Sequence, residues 1–173
     1  MKSLSRALIT MGAITAVAFG GALVAHSAEP AAEQQSLVED FGYPNRDQIQ
    51  QDDNVRLISG DGHIVYSPCV QQPANGIGLI EVRSSDLSVG KDSGLLCFKV
   101  TGSSGYLTML VPDVYEIRGD GFGSTPGHKG TADVSGENGQ QRTVQLEPNR
   151  SQQVGIGRPN GAPETLVRLE IKP

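Results

Sequence analysis

What most constrains this chain is the way its apolar residues are punctuated. After Asn54, short runs rich in Val, Ile, Leu and Tyr are repeatedly cut off by Gly, Pro, Asn or Asp. Such runs are too brief for most helices, whereas β-branched and aromatic side chains suit a pleated, half-buried strand. Many short strands joined by tight turns must bury their apolar faces on one another. The expected fold is therefore all-β: an antiparallel β-sandwich of about eight to ten short strands.

Three turns carry hairpin signals. Residues 55–59 and 63–66 flank Gly60-Asp61-Gly62, whose glycines are free to take positive φ, which predicts a hairpin. Residues 95–101 and 106–111 bracket Gly102-Ser103-Ser104-Gly105 and predict a second. Residues 129–134 and 141–146 surround Gly136-Glu137-Asn138-Gly139, where Asn-Gly is the strongest cue in the chain. Pro112 stops one strand, having no N–H for a ladder, and residues 114–118 resume as the next. In the closing run, alternation predicts Val167, Leu169 and Ile171 inward, with Leu166, Arg168, Glu170 and Lys172 mostly toward solvent. The absence of a repeat argues against propellers and solenoids, and the absence of Trp removes the Cys, Trp, Cys cue of antibody-like domains.

The first residues carry an address. Met1, Lys2 and Arg6 precede an apolar or small-residue stretch over 7–25, and Ala25 and Ser27 stand in the minus-three and minus-one relation of a cleavage site. This predicts a secretory signal peptide over 1–27, cut near Ser27 or Ala28. The richness in Ala and Gly, with Thr10 and Thr15 inside, disfavours an uncleaved anchor. No adjacent arginines and no cysteine at the cleavage point indicate a twin-Arg route or a lipid anchor.

Charge and cysteine count follow from that address. The whole chain has 14 Lys and Arg against 19 Asp and Glu, net -5, and losing Lys2 and Arg6 leaves 12 against 19, net -7. Without a block of Lys or Arg, the chain lacks the footprint that displaces counterions from nucleic acid, and a mature acidic domain is not expected to adhere to anionic membranes. Cys69 and Cys97, the only cysteines, are predicted to pair in an oxidising compartment. A loop of that size contributes roughly 3 to 4 kcal/mol in the chain-entropy description. Neither the spacing of a redox pair nor that of a structural zinc site is present.

Between the signal and the domain, residues 28–54 are acidic and amide-rich, which predicts a flexible tail ahead of a β-sandwich domain over 55–173. Leu37, Val38, Phe41 and Tyr43 are its apolar exception, expected to dock on the domain rather than to serve as a short recognition segment, and the clustered Gln34, Gln35, Gln48, Gln50 and Gln51, held in flexible chain, would suit acyl transfer by a transglutaminase.

The strings Leu57-Ile58-Ser59-Gly60-Asp61-Gly62-His63-Ile64-Val65, Cys97-Phe98-Lys99-Val100-Thr101-Gly102, Tyr106-Leu107-Thr108 and Glu164-Thr165-Leu166-Val167-Arg168-Leu169 give the chain a likeness. Over roughly residues 55–172 it resembles uncharacterised small secreted proteins of actinobacteria. The resemblance implies a Gram-positive exporting host and a two-cysteine β domain, and it brings no catalytic residue with it.

Catalytic chemistry finds little purchase. Beyond the signal the histidines are His63 and His128, and the nucleophile elbow Gly-x-Ser-x-Gly does not occur around Ser104 or Ser124. Asp61 could orient His63, but polar residues are expected in a turn anyway. Glu81, Asp113, Glu116 and Glu170 are the carboxylates that a glycosidase would need to bring together, in a chain short of aromatic platforms. No cofactor is implied. The longest irregular stretch inside the domain, residues 119–130, holds Asp120, Phe122 and His128 among glycines, and these three are the candidate binding residues. The expected function is a secreted, non-catalytic module binding an extracellular protein or an envelope component. The alternatives are a protease inhibitor acting through Tyr66-Ser67-Pro68-Cys69-Val70 and, behind it, a small hydrolase.

Overall fold

A computed structural model describes residues 41–70 and 77–173; the predicted signal, residues 28–40 with Leu37 and Val38, and the glutamines at 34 and 35 lie outside the described residues. One helix, α1 (Arg46–Asp53), precedes ten strands: β1 (Arg56–Gly60), β2 (Ile64–Ser67), β3 (Ile80–Ser84), β4 (Leu95–Val100), β5 (Gly105–Val111), β6 (Val114–Arg118), β7 (Lys129–Gly136), β8 (Gln141–Leu146), β9 (Ser151–Gln153) and β10 (Glu164–Lys172). They form two antiparallel five-stranded sheets, ordered β1-β5-β10-β7-β8 and β2-β4-β3-β6-β9. The expected all-β sandwich is the fold.

Alternation builds the core. Along β5, Leu107, Met109 and Val111 are buried while Tyr106, Thr108 and Leu110 are half-exposed. Ile80 and Val82 of β3 are buried in the same way from the opposite sheet. One apolar cluster joins Leu107, Met109, Leu166 and Leu169 of the first sheet to Ile64, Ile80, Leu96, Phe98 and Ile117 of the second. Each such side chain removed from water contributes roughly 1.5 to 3 kcal/mol, which is what holds the two sheets face to face. Cys69 and Cys97 are bonded, with 5.2 Å between their α-carbons, tying the segment after β2 to β4.

Two of the three expected hairpins are corrected. β1 and β2, on either side of Gly60-Asp61-Gly62, lie in different sheets, and so do β4 and β5 on either side of Gly102–Gly105. Both connections are arches across the core. The turn groups that a hairpin would pair are satisfied otherwise: Asp61 Oδ1 accepts the N–H of His63 at 3.1 Å, and its two carboxylate oxygens accept that of Tyr106 at 3.2 Å. His63 Nδ1 lies 2.8 Å from the carbonyl of Ser104, so the two arches nest. Gly105 is there for that closeness, because a Cβ would strike His63. The Asn-Gly hairpin is borne out: β7 pairs with β8, Gly139 takes φ 75°, and Gly136 N–H donates to Gln140 O at 2.9 Å.

The phase of β10 is also corrected. Leu169 and Ile171 are buried as expected, but so is Leu166, while Val167 is only half-buried. A register shift between Leu166 and Arg168, in the pairing with both β5 and β7, breaks the alternation there, so that Leu166 and Leu169, three residues apart, are both buried.

Residues 41–54 are not the free tail that composition predicts. Gly60 N–H donates to Phe41 O at 3.1 Å, Tyr43 N–H to Ile58 O at 3.0 Å, and the Tyr66 N–H to the Tyr43 hydroxyl at 2.8 Å. Tyr43 docks on the core as expected, together with Ile49 of α1, while Phe41 stays 53% exposed. An eight-residue helix is marginal alone, and α1 is retained by these contacts and by Gly90 N–H donating to Asp53 O at 2.7 Å. Gln48 and Gln50 are helical and bonded to Asp52 and Asn54, so they are not presented on loose chain.

Candidate functional site

β6 and β7 belong to opposite sheets, so residues 119–128 must cross the edge of the sandwich. A polar hub organises the crossing. Asp120 is wholly buried; its Oδ1 accepts the His128 N–H at 2.7 Å, its Oδ2 lies 2.6 Å from His128 Nδ1, and its carbonyl accepts the Gly78 N–H at 2.6 Å. Gly119 N–H donates to Arg150 O at 3.1 Å and Gly121 N–H to Pro148 O at 2.7 Å, fixing the loop's first residues to the β8–β9 connection. Gly127 is required, because a Cβ there would strike the Asp120 carboxylate and the Gly121 nitrogen. Beyond this hub, Phe122 and Thr125 exchange backbone hydrogen bonds of 3.3 and 3.0 Å around Gly123-Ser124, closing a tight turn.

The structure thus brings Asp120 and His128 together and places Phe122 in the turn, 37% exposed. A buried carboxylate on Nδ1 holds an imidazole in one tautomer and one orientation, leaving Nε2 as the working atom. Among the described residues no hydroxyl is hydrogen-bonded to that Nε2. His63 is engaged differently, its Nδ1 meeting a backbone carbonyl, with Asp61 Oδ2 farther off at 3.7 Å.

Of the other carboxylates, Glu81 and Glu116 are on the paired strands β3 and β6, each held by its own partners. Glu81 pairs with Arg83 at 3.1 Å and Arg118 at 3.4 Å, and Glu116 receives Ser151 and Gln153, all on the second sheet. Glu170 lies on the first sheet between Arg168 and Lys172, and Asp113 occupies the β5–β6 turn with φ 51°. Of the inhibitor segment, Tyr66 and Ser67 are strand residues paired with Phe98 and Cys97, while Pro68 and Val70 are exposed.

Two groupings escaped the sequence. Glu164 accepts a bidentate pair of bonds from Arg142 at 2.8 and 2.7 Å and the Gly155 N–H at 2.6 Å. The Arg142 hydrogen bonds above all hold its carboxyl below the usual range, against the opposing effect of burial. The second is a pocket of about 240 Å³ beside the disulfide, lined by Asp52, Asp53, Tyr66, Lys91 and Asp92. Burial, then the charge and hydrogen bonding of Asp53, holds the Tyr66 phenol well above its ordinary pKa. The Asp52-Asp53 pair was visible as sequence, but nothing local signals that Asp53 is covered by residues near position 90.

Comparison with known proteins finds no matching family model and no matching curated protein. No helix among the described residues is long and apolar enough to cross a membrane.

Proposed function

We propose that this chain is an exported, non-catalytic β-sandwich that binds an extracellular protein or an envelope component through the 119–128 loop, in the manner of a small secreted actinobacterial protein. The observation that carries the reading is the Asp120 hub. It orders the crossing loop from inside and leaves Phe122 partly exposed on a tight turn. A loop ordered before binding loses less entropy on association, and a partly exposed aromatic on a rigid support is the usual form of an interface anchor. The signal pattern over 1–27 and the Cys69–Cys97 bond support an oxidising compartment outside the cytoplasm.

The test is capture of partners from culture medium and washed envelopes by the immobilised mature domain, quantified for wild type and Phe122→Ala. Capture is expected to weaken by about tenfold or more, the scale of an anchor residue. Equal capture by the variant would remove the loop from the interface.

One observation favours a second reading. The Asp120–His128 pair has the geometry of an oriented general base, which supports a histidine-dependent hydrolase. Turnover of an ester or peptide panel that vanishes in His128→Gln would establish it, and turnover unaffected by that change would dismiss it.

A further inference from the structure

Apart from the loop, the pocket where the end of α1 meets the disulfide holds a feature that the fold alone does not explain. Asp53 is 5% exposed, and its Oδ1 is buried with no hydrogen-bond partner. A carboxylate oxygen withdrawn from water without a donor is costly, and native proteins keep few of them. The location aggravates the cost. Asp53 closes α1, directly after Asp52, and no basic residue occupies the last turn, so two carboxylates are added to the negative end of the helix dipole. Asp92 lines the same pocket, and the one cation among the lining residues is Lys91. Its Nζ stands 3.7 Å from Asp53 Oδ2 on a side chain 66% exposed, a long and screened pair.

We propose that this pocket binds an organic cation, a primary ammonium or guanidinium on a short aliphatic stem, toward whose N–H groups the Asp53 carboxylate turns its Oδ1, which is closed to water in the free protein. The enclosed volume of about 240 Å³ admits a group the size of a lysine or arginine side chain. Ile49, Leu95, Pro68 and the Cys69–Cys97 bridge offer the stem an apolar wall. The Tyr66 ring lines the same space and can face a cation. Three carboxylates against one ammonium exclude an anion. A bare metal ion is disfavoured, since no cluster of three His, Cys, Asp or Glu with metal-holding geometry occurs among the described residues. Lys91 serves as the resident counter-charge that the ligand competes with.

The experiment is calorimetric and NMR titration of the oxidised mature domain with butylammonium, butylguanidinium and N-acetyl-lysine methylamide, with butanol and Ca²⁺ as controls. Saturable binding of the cations is expected at about millimolar or tighter, the range for ligands of so few atoms, with no saturation by butanol or Ca²⁺. Asp53→Asn, near in shape, is expected to weaken binding about tenfold or more, as befits loss of the charged acceptor. Lys91→Met is expected to tighten it several-fold, and it keeps the proposal testable should Asp53→Asn fail to fold. Lack of saturation by every cation, wild-type affinity in a folded Asp53→Asn protein, or no gain in Lys91→Met would each overturn the proposal. If butylammonium and the lysine derivative bind alike, the ligand is the side chain of a peptide; if the lysine derivative is excluded, it is a free amine. Phe122→Ala is expected to leave all of these titrations unchanged, so failure here and failure of the loop reading are separate results.

Discussion

Asp120 and Asp53 are both buried aspartates at the margins of the same sandwich, yet they have opposite surroundings. Both carboxylate oxygens of Asp120 are engaged by His128, one by the backbone N–H and one by the ring. Asp53 has one long contact from an exposed lysine, and keeps one oxygen with no donor. Burial of a charge is compatible with either outcome, so burial alone says little about role. What separates a structural carboxylate from one open to a ligand is whether its lone pairs are already used.

The sharpest way to break this comparison is to remove both groups. Asp120→Ala strands the His128 N–H in a buried setting and leaves the ring without its orienting partner, so we expect a loss of about 2 to 4 kcal/mol. Urea unfolding of the oxidised domain measures it. A cost below that of Asp53→Asn would reverse the assignment of roles.

Glu164 extends the contrast to a third carboxylate, one that is fully served but nearer to solvent. Glu164→Gln gives up the charged pair with Arg142 and is expected to cost about 1 to 2 kcal/mol at neutral pH, discounted for solvent screening. Because its folded-state pKa is depressed, chiefly by the Arg142 hydrogen bonds, the contribution is complete above the unfolded value of 4.5 and fades as pH falls through the lower folded value. The stability gap between wild type and Glu164→Gln should therefore close as the pH is taken well below 4.5. A gap that persists undiminished in acid would show that charge is not what Glu164 supplies.

Phe122→Ala comes next, at about 1 kcal/mol or less, since a partly exposed ring forfeits only part of its burial. Its stability effect should be small beside its effect on partner capture. A large loss of stability would make Phe122 a packing residue of the loop and weaken its part in the interface.

How much of this was legible beforehand depends on whether the deciding contact is local. The alternation that buries Leu107, Met109 and Val111 is local, and so is the Asn138-Gly139 turn, so the sandwich and the β7–β8 hairpin could be inferred. The arch at Gly60-Asp61-Gly62 could not, because the same glycine-rich chemistry serves hairpins, and the arbiter is a hydrogen bond from Tyr106, 45 residues away. The register shift in β10 arises from pairing with β5 and β7 together, which alternation within one strand cannot register. Likewise α1 has a single apolar residue, Ile49, turned to the core, and its retention depends on distant backbone bonds. At the candidate loop, composition pointed to Asp120, Phe122 and His128, but only the fold shows that two of them are joined and the third is displayed.

The smallest expected effect tests the comparison most delicately, because its sign matters more than its size. Asp53→Asn removes a buried negative charge at the negative end of a helix, where no hydrogen bond to Oδ1 is lost. The weak Lys91 pair is the main opposition to the gain, and exposed pairs of that kind are worth about 0 to 1 kcal/mol. The variant should thus be as stable as wild type or more so, with a melting temperature unchanged or raised by a few degrees, on the order of 4 °C per kcal/mol for a domain of this size. Measured at low and high salt, the difference should shift slightly in favour of the variant as salt screens the Lys91 pair. A clear loss of stability would mean that Asp53 is satisfied in solution, and the two aspartates would then have the same role.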